Sequence, residues 1–166
     1  MGARTKVPMA ELRALCTTLG WTSVETYIQS GNVIFEAADE VAALEAALGT
    51  ALGPSFGFTP AVMVRSAAQW QRHAVANPFR EAAAGTPNLV LMGLTKLPPA
   101  PEAVAALQAR AVHGERVALA GGALWFHYPA GVGTSKLSPA LIDRLAGSPL
   151  TARNLRTVQK IGEMLG

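Results

Sequence analysis

The sequence predicts an α+β protein built from two packed ferredoxin-like halves of the split βαβ type. Three observations predict this class. Half of the 166 residues are apolar and 15% are charged, which is the balance of a folded globular chain. Segments with apolar residues three or four positions apart, typical of helices, alternate with short strand-like segments. The order of these segments occurs roughly twice along the chain, although the first copy lacks an opening strand.

The first half, residues 1–65, is predicted to contain two helices and three strands. Helix boundaries follow from Pro near the first turn and Gly after the last, and strands follow from apolar alternation between turn residues. We expect the second helix to end where Gly53 and Pro54 interrupt it. In chain order, the predicted elements are a helix at 8–19, strands at 24–29 and 32–36, a helix at 39–52 and a strand at 59–64.

A linker helix and loop at residues 66–87 are predicted to join this half to the second half, residues 88–166. Ser66 and Gln69 have the spacing of a capping box, which predicts the start of the linker helix. The second half is predicted to contain, in order, a strand at 88–94, a helix at 101–112, strands at 116–120 and 124–128, and helices at 139–145 and 153–165.

The composition excludes several kinds of site. Cys16 is the one cysteine of the chain, so an internal disulfide and a cysteine-based structural metal site within one chain are excluded. The three histidines lie far apart, without the spacing of metal ligands, and neither a metal nor a cofactor is predicted. No segment resembles a membrane span or a secretory signal, so we expect a cytoplasmic protein that does not associate with membranes.

The positive charge is concentrated near the carboxyl end. Residues 1–130 contain nine basic and nine acidic residues, whereas residues 131–166 contain five basic and two acidic residues, which gives the net charge of +3. Such a segment is complementary to an anionic partner. The five basic residues are Lys136, Arg144, Arg153, Arg156 and Lys160.

Residues 131–139, with the sequence GVGTSKLSP, predict a glycine-rich loop that leads into a helix. Ser138 suits the N-cap and Pro139 the first helical position. We expect the N–H groups of this helix start, with Lys136 and the preceding loop residues, to hold a phosphate or carboxylate. The loop is not a Walker A motif, because a Ser precedes the Lys, and a purely structural turn is the alternative. The candidate residues of the loop are Gly133, Thr134, Ser135 and Lys136.

Residues 151–157, with the sequence TARNLRT, predict a second helix start. Thr151 is the expected N-cap, which places Arg153, Asn154 and Arg156 in the first turns. Cations at the positive end of a helix dipole are unfavourable, and a bound anion would relieve this. The alternative is a solvated basic face on a helix whose apolar residues point inward.

The sequence YIQSGN at residues 27–32 supplies a third group of candidate residues, Gln29, Ser30 and Asn32. One interpretation is hairpin chemistry, in which Gly31 provides a positive φ and the polar side chains stabilise the turn. The other makes these residues a polar rim that faces the cations near the carboxyl end.

These motifs, with NPF at 77–79 and HYPAGVG at 127–133, resemble the bacterial proteins grouped as domain of unknown function 1697. The resemblance extends from residue 5 to about residue 165. It implies an opening strand and a glycine-rich turn that the sequence lacks. A late start codon, closure by the flanking strands or a strand from another chain would each explain the difference. It also implies a Trp where Leu155 stands, and it implies no catalytic residues.

Together these features favour a non-catalytic binding module for a small molecule that carries a phosphate or carboxylate. The candidate segments contain no His, Cys or paired carboxylates, so no catalytic residue is predicted and a phosphoryl-directed enzyme is less favoured. Nucleic acid is a less favoured partner because the cations are few and have few aromatic neighbours. The alternative is a structural or protein-interaction domain that forms homo-oligomers and binds no small ligand.

Overall fold

The computed structural model describes residues 7–28, 31–57 and 60–166. The chain divides into two compact units, which we call the N-terminal unit (Met1–Ser66 with Met164–Gly166) and the C-terminal unit (Ala67–Glu163). Each unit combines helices with a small antiparallel sheet, so the predicted α+β class is confirmed.

The N-terminal unit packs two helices with a two-stranded antiparallel sheet. The rings of Trp21 and Phe35 stack with their centroids 4.0 Å apart. The apolar residues of both helices that recur at spacings of three or four form one buried cluster with Trp21. The elements are α1 (Met9–Thr18), β1 (Thr22–Tyr27), β2 (Asn32–Glu36) and α2 (Val41–Phe56).

Two predictions for this unit are wrong. The helix α2 continues through Pro54 and ends at Phe56, where it is capped by Gly57, which has φ +76° and whose N–H donates to the carbonyl of Gly53 at 2.8 Å. Pro54 removes one helical hydrogen bond, but Phe56 packs against the buried cluster and stabilises the last turn.

The described part of the predicted strand at 59–64, residues 60–64, is not a strand; Thr59 lies outside the described residues. The N–H of Val64 donates to the Glu45 carboxylate at 2.8 Å, so a side chain replaces a strand partner there. Pro60 also lacks an N–H group for a sheet.

The C-terminal unit contains a four-stranded antiparallel sheet with the strand order β4-β5-β3-β6. Two helices connect its strands in the sequence βαββαβ, which is the topology of a split βαβ, or ferredoxin-like, fold. The elements are α3 (Ala67–Val75), α4 (Arg80–Gly85), a 3₁₀ turn (Pro87–Leu89), β3 (Val90–Thr95), α5 (Ala103–Ala109), β4 (Arg116–Ala120), β5 (Ala123–His127), α6 (Pro139–Ala146), β6 (Leu150–Asn154) and α7 (Leu155–Leu165).

The predicted helix start at Thr151 and Arg153 is wrong, because residues 150–154 form the strand β6. This strand pairs with the central strand β3, with Thr151 opposite Leu94 and Asn154 opposite Leu91. Strand β3 therefore has hydrogen-bonding partners on both sides, β5 on one and β6 on the other. The helix α7 begins only at Leu155, directly after the strand.

The two faces of the C-terminal sheet have different surroundings. Phe126 of β5 belongs to a buried cluster with Leu107 of α5 and Ile142 of α6, so these helices cover the face we call the Phe126 face. Side chains alternate along a strand, so Trp125 and His127 point to the other face, the Trp125 face. The ring of Phe79, which precedes α4, lies with its centroid 6.0 Å from that of His127 on this second face.

Gln108 shields part of the outer edge of β4. Its side-chain amide donates to the carbonyl of Glu115 at 2.7 Å and accepts from the N–H of Val117 at 3.0 Å. Strand β4 lies at the end of the strand order, and a neighbouring strand would make the same kind of contacts there. None of the helices in the described part of the chain has the length and apolar character of a membrane span.

We predict that Gly93→Ala destabilises the C-terminal unit. Strand β3 passes so close to its neighbours that a Cβ at Gly93 would lie 3.0 Å from Cδ1 of Leu150 and 3.2 Å from the carbonyl of Leu124. Overpacking of this kind costs about 1–3 kcal/mol of unfolding free energy, measurable by chemical denaturation.

Gly49→Ala is the matched control, because a Cβ at this position within α2 meets no atom within 4 Å. Alanine in a helix interior should raise the unfolding free energy by about 0.5–1 kcal/mol. Equal effects of the two substitutions would contradict the packing described around Gly93.

Candidate functional site

The C-terminal sheet brings two of the predicted binding segments to one of its ends. Strand β5 finishes at His127, opposite Val90 at the start of β3, and β6 finishes at Asn154, opposite Leu91. The loop at 131–138 and the start of α7 therefore leave the sheet at the same end. Because β3 lies between β5 and β6 and strands are about 4.8 Å apart, the two exits are about 10 Å apart.

The loop at 131–138 has a conformation fixed by its own hydrogen bonds. Gly131, with φ +92°, donates its N–H to the carbonyl of Tyr128 at 2.9 Å, and Ser135 donates its N–H to the carbonyl of Val132 at 3.1 Å. The Thr134 hydroxyl donates to the carbonyl of Ala130 at 2.9 Å. The loop thus presents a closed turn rather than an open chain.

The loop leads into α6 as the sequence predicts. The Ser138 hydroxyl accepts from the N–H of Leu141 at 3.2 Å, and Pro139 is the first helical residue, so the predicted cap is confirmed. A surface depression of about 430 Å³ lies at this helix start, and Arg144 is among the residues that line it.

Glu115, which the sequence analysis did not single out, lies beneath the loop. One oxygen of its carboxylate accepts from the Ser135 hydroxyl at 2.6 Å, and the other accepts from the N–H of His113 at 2.6 Å. Only 3% of Glu115 is exposed. The Ser135 hydroxyl also accepts from the N–H of Leu137 at 3.1 Å, so this predicted ligand residue joins the loop to the buried carboxylate.

The electrostatics around Glu115 favour its ionised form. The hydrogen bond from Ser135 is the largest cause that lowers the pKa of the carboxyl below its ordinary value, and burial opposes the change. Burial, with a smaller effect of the Glu115 charge, raises the pKa of Tyr128 to about 12. One signal in the sequence would have found this residue: Glu115 precedes Val117 by two, which places it on the buried face of a strand-like segment.

Three of the predicted ligand residues remain exposed on the loop. They are Gly133, Thr134 and Lys136. Among the described residues, the backbone N–H groups of Gly133, Thr134 and Lys136 have no acceptor. Unpartnered N–H groups in a turn, next to a cationic side chain, are able to bind an anion.

The start of α7 is built differently from the prediction. The Asn154 side chain, not that of Thr151, caps the helix by accepting from the N–H of Thr157 at 3.0 Å. Arg153 lies in β6 opposite Met92, hence on the Trp125 face, and its guanidinium donates to the Thr151 hydroxyl at 2.6 Å and the carbonyl of Ala152 at 2.9 Å. Burial lowers the pKa of Arg153.

Arg156 is exposed on α7. The loop at 131–138 continues into α6, which covers the Phe126 face. Arg153 lies on the opposite face, the Trp125 face. The structure therefore brings residues 133–136 together and separates Arg153 from them by the thickness of the sheet.

The third group of candidates lies in the N-terminal unit. Gln29 and Ser30 are outside the described residues. Asn32 is buried, and its side-chain amide donates to the carbonyl of Tyr27 at 3.1 Å, which closes the hairpin between β1 and β2. Ile28 before this turn has φ +52° and is 51% exposed, an unusual conformation for a β-branched residue.

Neither a metal site nor an activated thiol is found in the part of the chain that the structure describes. Its His, Cys, Asp and Glu residues form no group of three or more that could hold an ion. Cys16 is buried, and burial raises the pKa of its thiol to about 11, so the thiol stays protonated at neutral pH.

Comparison with known proteins gives a family match without an assigned activity. The sequence model of the family described as "Protein of unknown function (DUF1697)" matches residues 1–125. The conserved bacterial protein SP0830 from Streptococcus pneumoniae has a similar structure, with a TM-score of 0.70 and 24% identity over 100% of this chain and 93% of that chain. At this identity the likeness shows the fold. No curated protein matches the chain.

We predict that Ser135→Ala destabilises the C-terminal unit. The substitution leaves one oxygen of a buried carboxylate without its donor, which costs about 1–3 kcal/mol of unfolding free energy in a denaturant titration. Thr134→Ala is the control, because the Thr134 hydroxyl is exposed and bonds only to backbone carbonyls. An equal loss in both variants would contradict the role given to Glu115.

We predict that Glu115 stabilises the folded protein at neutral pH and no longer does so in acid. Because the pKa of Glu115 is lowered by folding, its contribution to stability is complete above the ordinary carboxyl pKa of about 4.3 and is lost as the pH falls through the folded value. We expect Glu115→Gln to be less stable than the parent protein at pH 7, with the difference shrinking below about pH 4. Unfolding curves between pH 7 and pH 3 measure this, and a difference that does not depend on pH would contradict it.

Proposed function

The chain belongs to the DUF1697 family, whose function is unknown, and on this premise we propose that it binds a small anion carrying a phosphate or carboxylate at the loop 131–138. The proposal makes the protein a binding module rather than an enzyme. The geometry of this loop and the charge of the segment to which it belongs support this function.

One observation carries the proposal: the exposed loop offers the N–H groups of Gly133 and Thr134, which have no acceptor among the described residues, and an exposed lysine, Lys136, follows two residues later. The two N–H groups are neighbours inside the turn closed by Ser135 and Val132, so they are held without further ordering of the backbone. A site organised before the ligand arrives loses less conformational entropy on binding. An oxyanion accepts hydrogen bonds from such groups and pairs with the cation.

Electrostatics support the same location. The segment from residue 131 to the carboxyl end carries the formal excess of positive charge. The nearest carboxylate in the loop's own hydrogen-bond network, that of Glu115, is buried and accepts from Ser135 and His113. Its negative charge is therefore hydrogen-bonded on the buried side of the loop, whereas Lys136 is exposed to solvent.

The side chains favour binding over catalysis. The loop 131–138 contains no His, Cys or carboxylate. Its one hydroxyl beside a carboxylate, that of Ser135, is held by both Glu115 and the N–H of Leu137. A serine nucleophile needs a base that takes its proton, and the lowered pKa of Glu115 makes this carboxylate a weak base, so we assign Ser135 a structural role.

Other predicted ligand residues have different parts in this proposal. Arg156, exposed near the start of α7, adds charge at the same end of the sheet and would strengthen the attraction at low salt. Asn154 caps α7 and Arg153 bonds to its own strand, so we assign them structural roles. We likewise assign Asn32 to the hairpin of the N-terminal unit.

The test is a titration of the whole protein with inorganic phosphate, followed through the backbone amide signals in NMR spectra. We expect the signals of Gly133 and Thr134 to shift, and Lys136→Ala to weaken the apparent affinity about three- to tenfold, as loss of one charge-assisted contact predicts.

Lys160→Ala is the matched control. It removes the same charge from an exposed lysine of α7 that pairs with Glu163 at 3.7 Å. Equal weakening in both variants would mean that the phosphate affinity depends only on the net charge of the protein, and this would overturn the proposal. No shift at Gly133 and Thr134, combined with a dimer that Lys136→Ala disrupts in sedimentation experiments, would instead support the interaction-domain alternative.

A further inference from the structure

We propose that Arg116 and His127 form a second anion-binding site, for a phosphate group, on the Trp125 face of the C-terminal sheet. The site shares no residue with the loop 131–138. It goes beyond the proposed function, because it rests on different side chains and would exist whether or not the loop binds a ligand.

The sheet places the two side chains side by side. Arg116 is the first residue of β4 and His127 is the last residue of β5, and the register pairs them directly. Directly opposed residues of an antiparallel pair point to the same face, with their Cβ atoms about 5 Å apart. The guanidinium of Arg116 and the imidazole of His127 thus project from neighbouring positions at the end of the sheet.

Phe79 holds the guanidinium in place. The Cζ atom of Arg116 lies 5.6 Å from the centroid of the Phe79 ring, a cation–π contact, and the same ring lies beside His127. Phe79 is buried, with 8% of the residue exposed, and its N–H donates to the side-chain carbonyl of Asn77 at 2.9 Å. The motif at 77–79 therefore has a structural role in this site, because it positions the ring that contacts the Arg116 guanidinium.

Neither basic side chain is neutralised within the described residues. No carboxylate there lies within 4.0 Å of the Arg116 guanidinium, and no acceptor is bonded to either side chain. The nearest acid in the sequence, Glu115, points to the other face, where it is bound to Ser135. Arg116 is exposed and His127 partly exposed, so their hydrogen-bond donors are accessible.

This arrangement fits a phosphate group better than a single-point anion. The planar fork of an arginine bonds two oxygens of a phosphate at once, and the imidazole N–H is able to donate to a third. The ring of Phe79 limits the motion of the guanidinium, so less side-chain freedom is lost on binding.

The experiment titrates the whole protein with inorganic phosphate and follows the imidazole Cε1–H signal of His127 and the Nε–H signal of Arg116 by NMR. We expect both signals to shift together. Arg116→Gln should weaken the phosphate response at His127 by about tenfold or more, as the loss of a bidentate charged contact predicts. Arg72→Gln, at an exposed position of α3 near the β4–β5 turn at the other end of the sheet, is the control, with less than about a twofold change.

A positioning role for Phe79 has a separate readout. Phe79→Leu keeps an apolar side chain but removes the ring, so it should weaken the phosphate response of His127, and Arg116→Gln should have a smaller effect in this background than in the parent protein. The thermal midpoint of each variant shows whether it remains folded. Additive losses from the two substitutions would contradict the cation–π coupling.

The outcomes separate this site from the loop. Shifts at His127 that survive Lys136→Ala and are weakened about tenfold or more by Arg116→Gln support the second site, whether or not the amides of Gly133 and Thr134 respond. An unchanged His127 response in Arg116→Gln, or no His127 response at phosphate concentrations that shift the loop amides, would overturn it.

Discussion

The pairing of β3 with a strand on each side is the constraint on which the C-terminal unit depends. Strand β3 is buried on both faces of the sheet, and its backbone groups need partners along both edges. Because β5 and β6 both run antiparallel to it, they end at the same end of the sheet. That end therefore carries the loop 131–138, the start of α7 and the pair of Arg116 and His127.

The buried carboxylate of Glu115 has a comparable importance for the loop. An ionised carboxyl is expensive to remove from water unless it is hydrogen-bonded, and here the donors come from two segments, the turn before β4 and the loop after β5. The ionic group thus joins segments that are 20 residues apart. A buried residue outside the loop thereby adds one hydrogen bond to those that the loop makes within itself.

Much of the fold could be predicted from the sequence because its signals are local. The apolar spacing of α1 and the helix start at Ser138 and Pro139 depend on neighbouring residues only. The strand β6 could not be predicted in this way, since Thr151, Arg153 and Asn154 resemble a helix start until β3 requires a partner. The same holds for the segment at 60–64, where a carboxylate takes the place of a strand.

The same difference between local signals and contacts across the sheet applies to the candidate site. Lys136 and its glycine-rich loop were recognisable from composition, whereas the separation of Arg153 from that loop follows from side-chain alternation in a strand that the sequence did not reveal. Arg116 and His127 are 11 residues apart, and only the register shows that they are neighbours. Contacts made across a sheet, rather than along the chain, account for what sequence reasoning missed.

The amide of Gln108 has a consequence for how the protein behaves at high concentration. An uncovered outer strand is a template on which further copies of a protein stack into fibrils. Since the carboxamide already occupies the carbonyl of Glu115 and the N–H of Val117, a second molecule cannot extend the sheet there without first displacing it. One uncharged side chain thereby opposes the addition of a strand at this part of β4 without adding to the net charge.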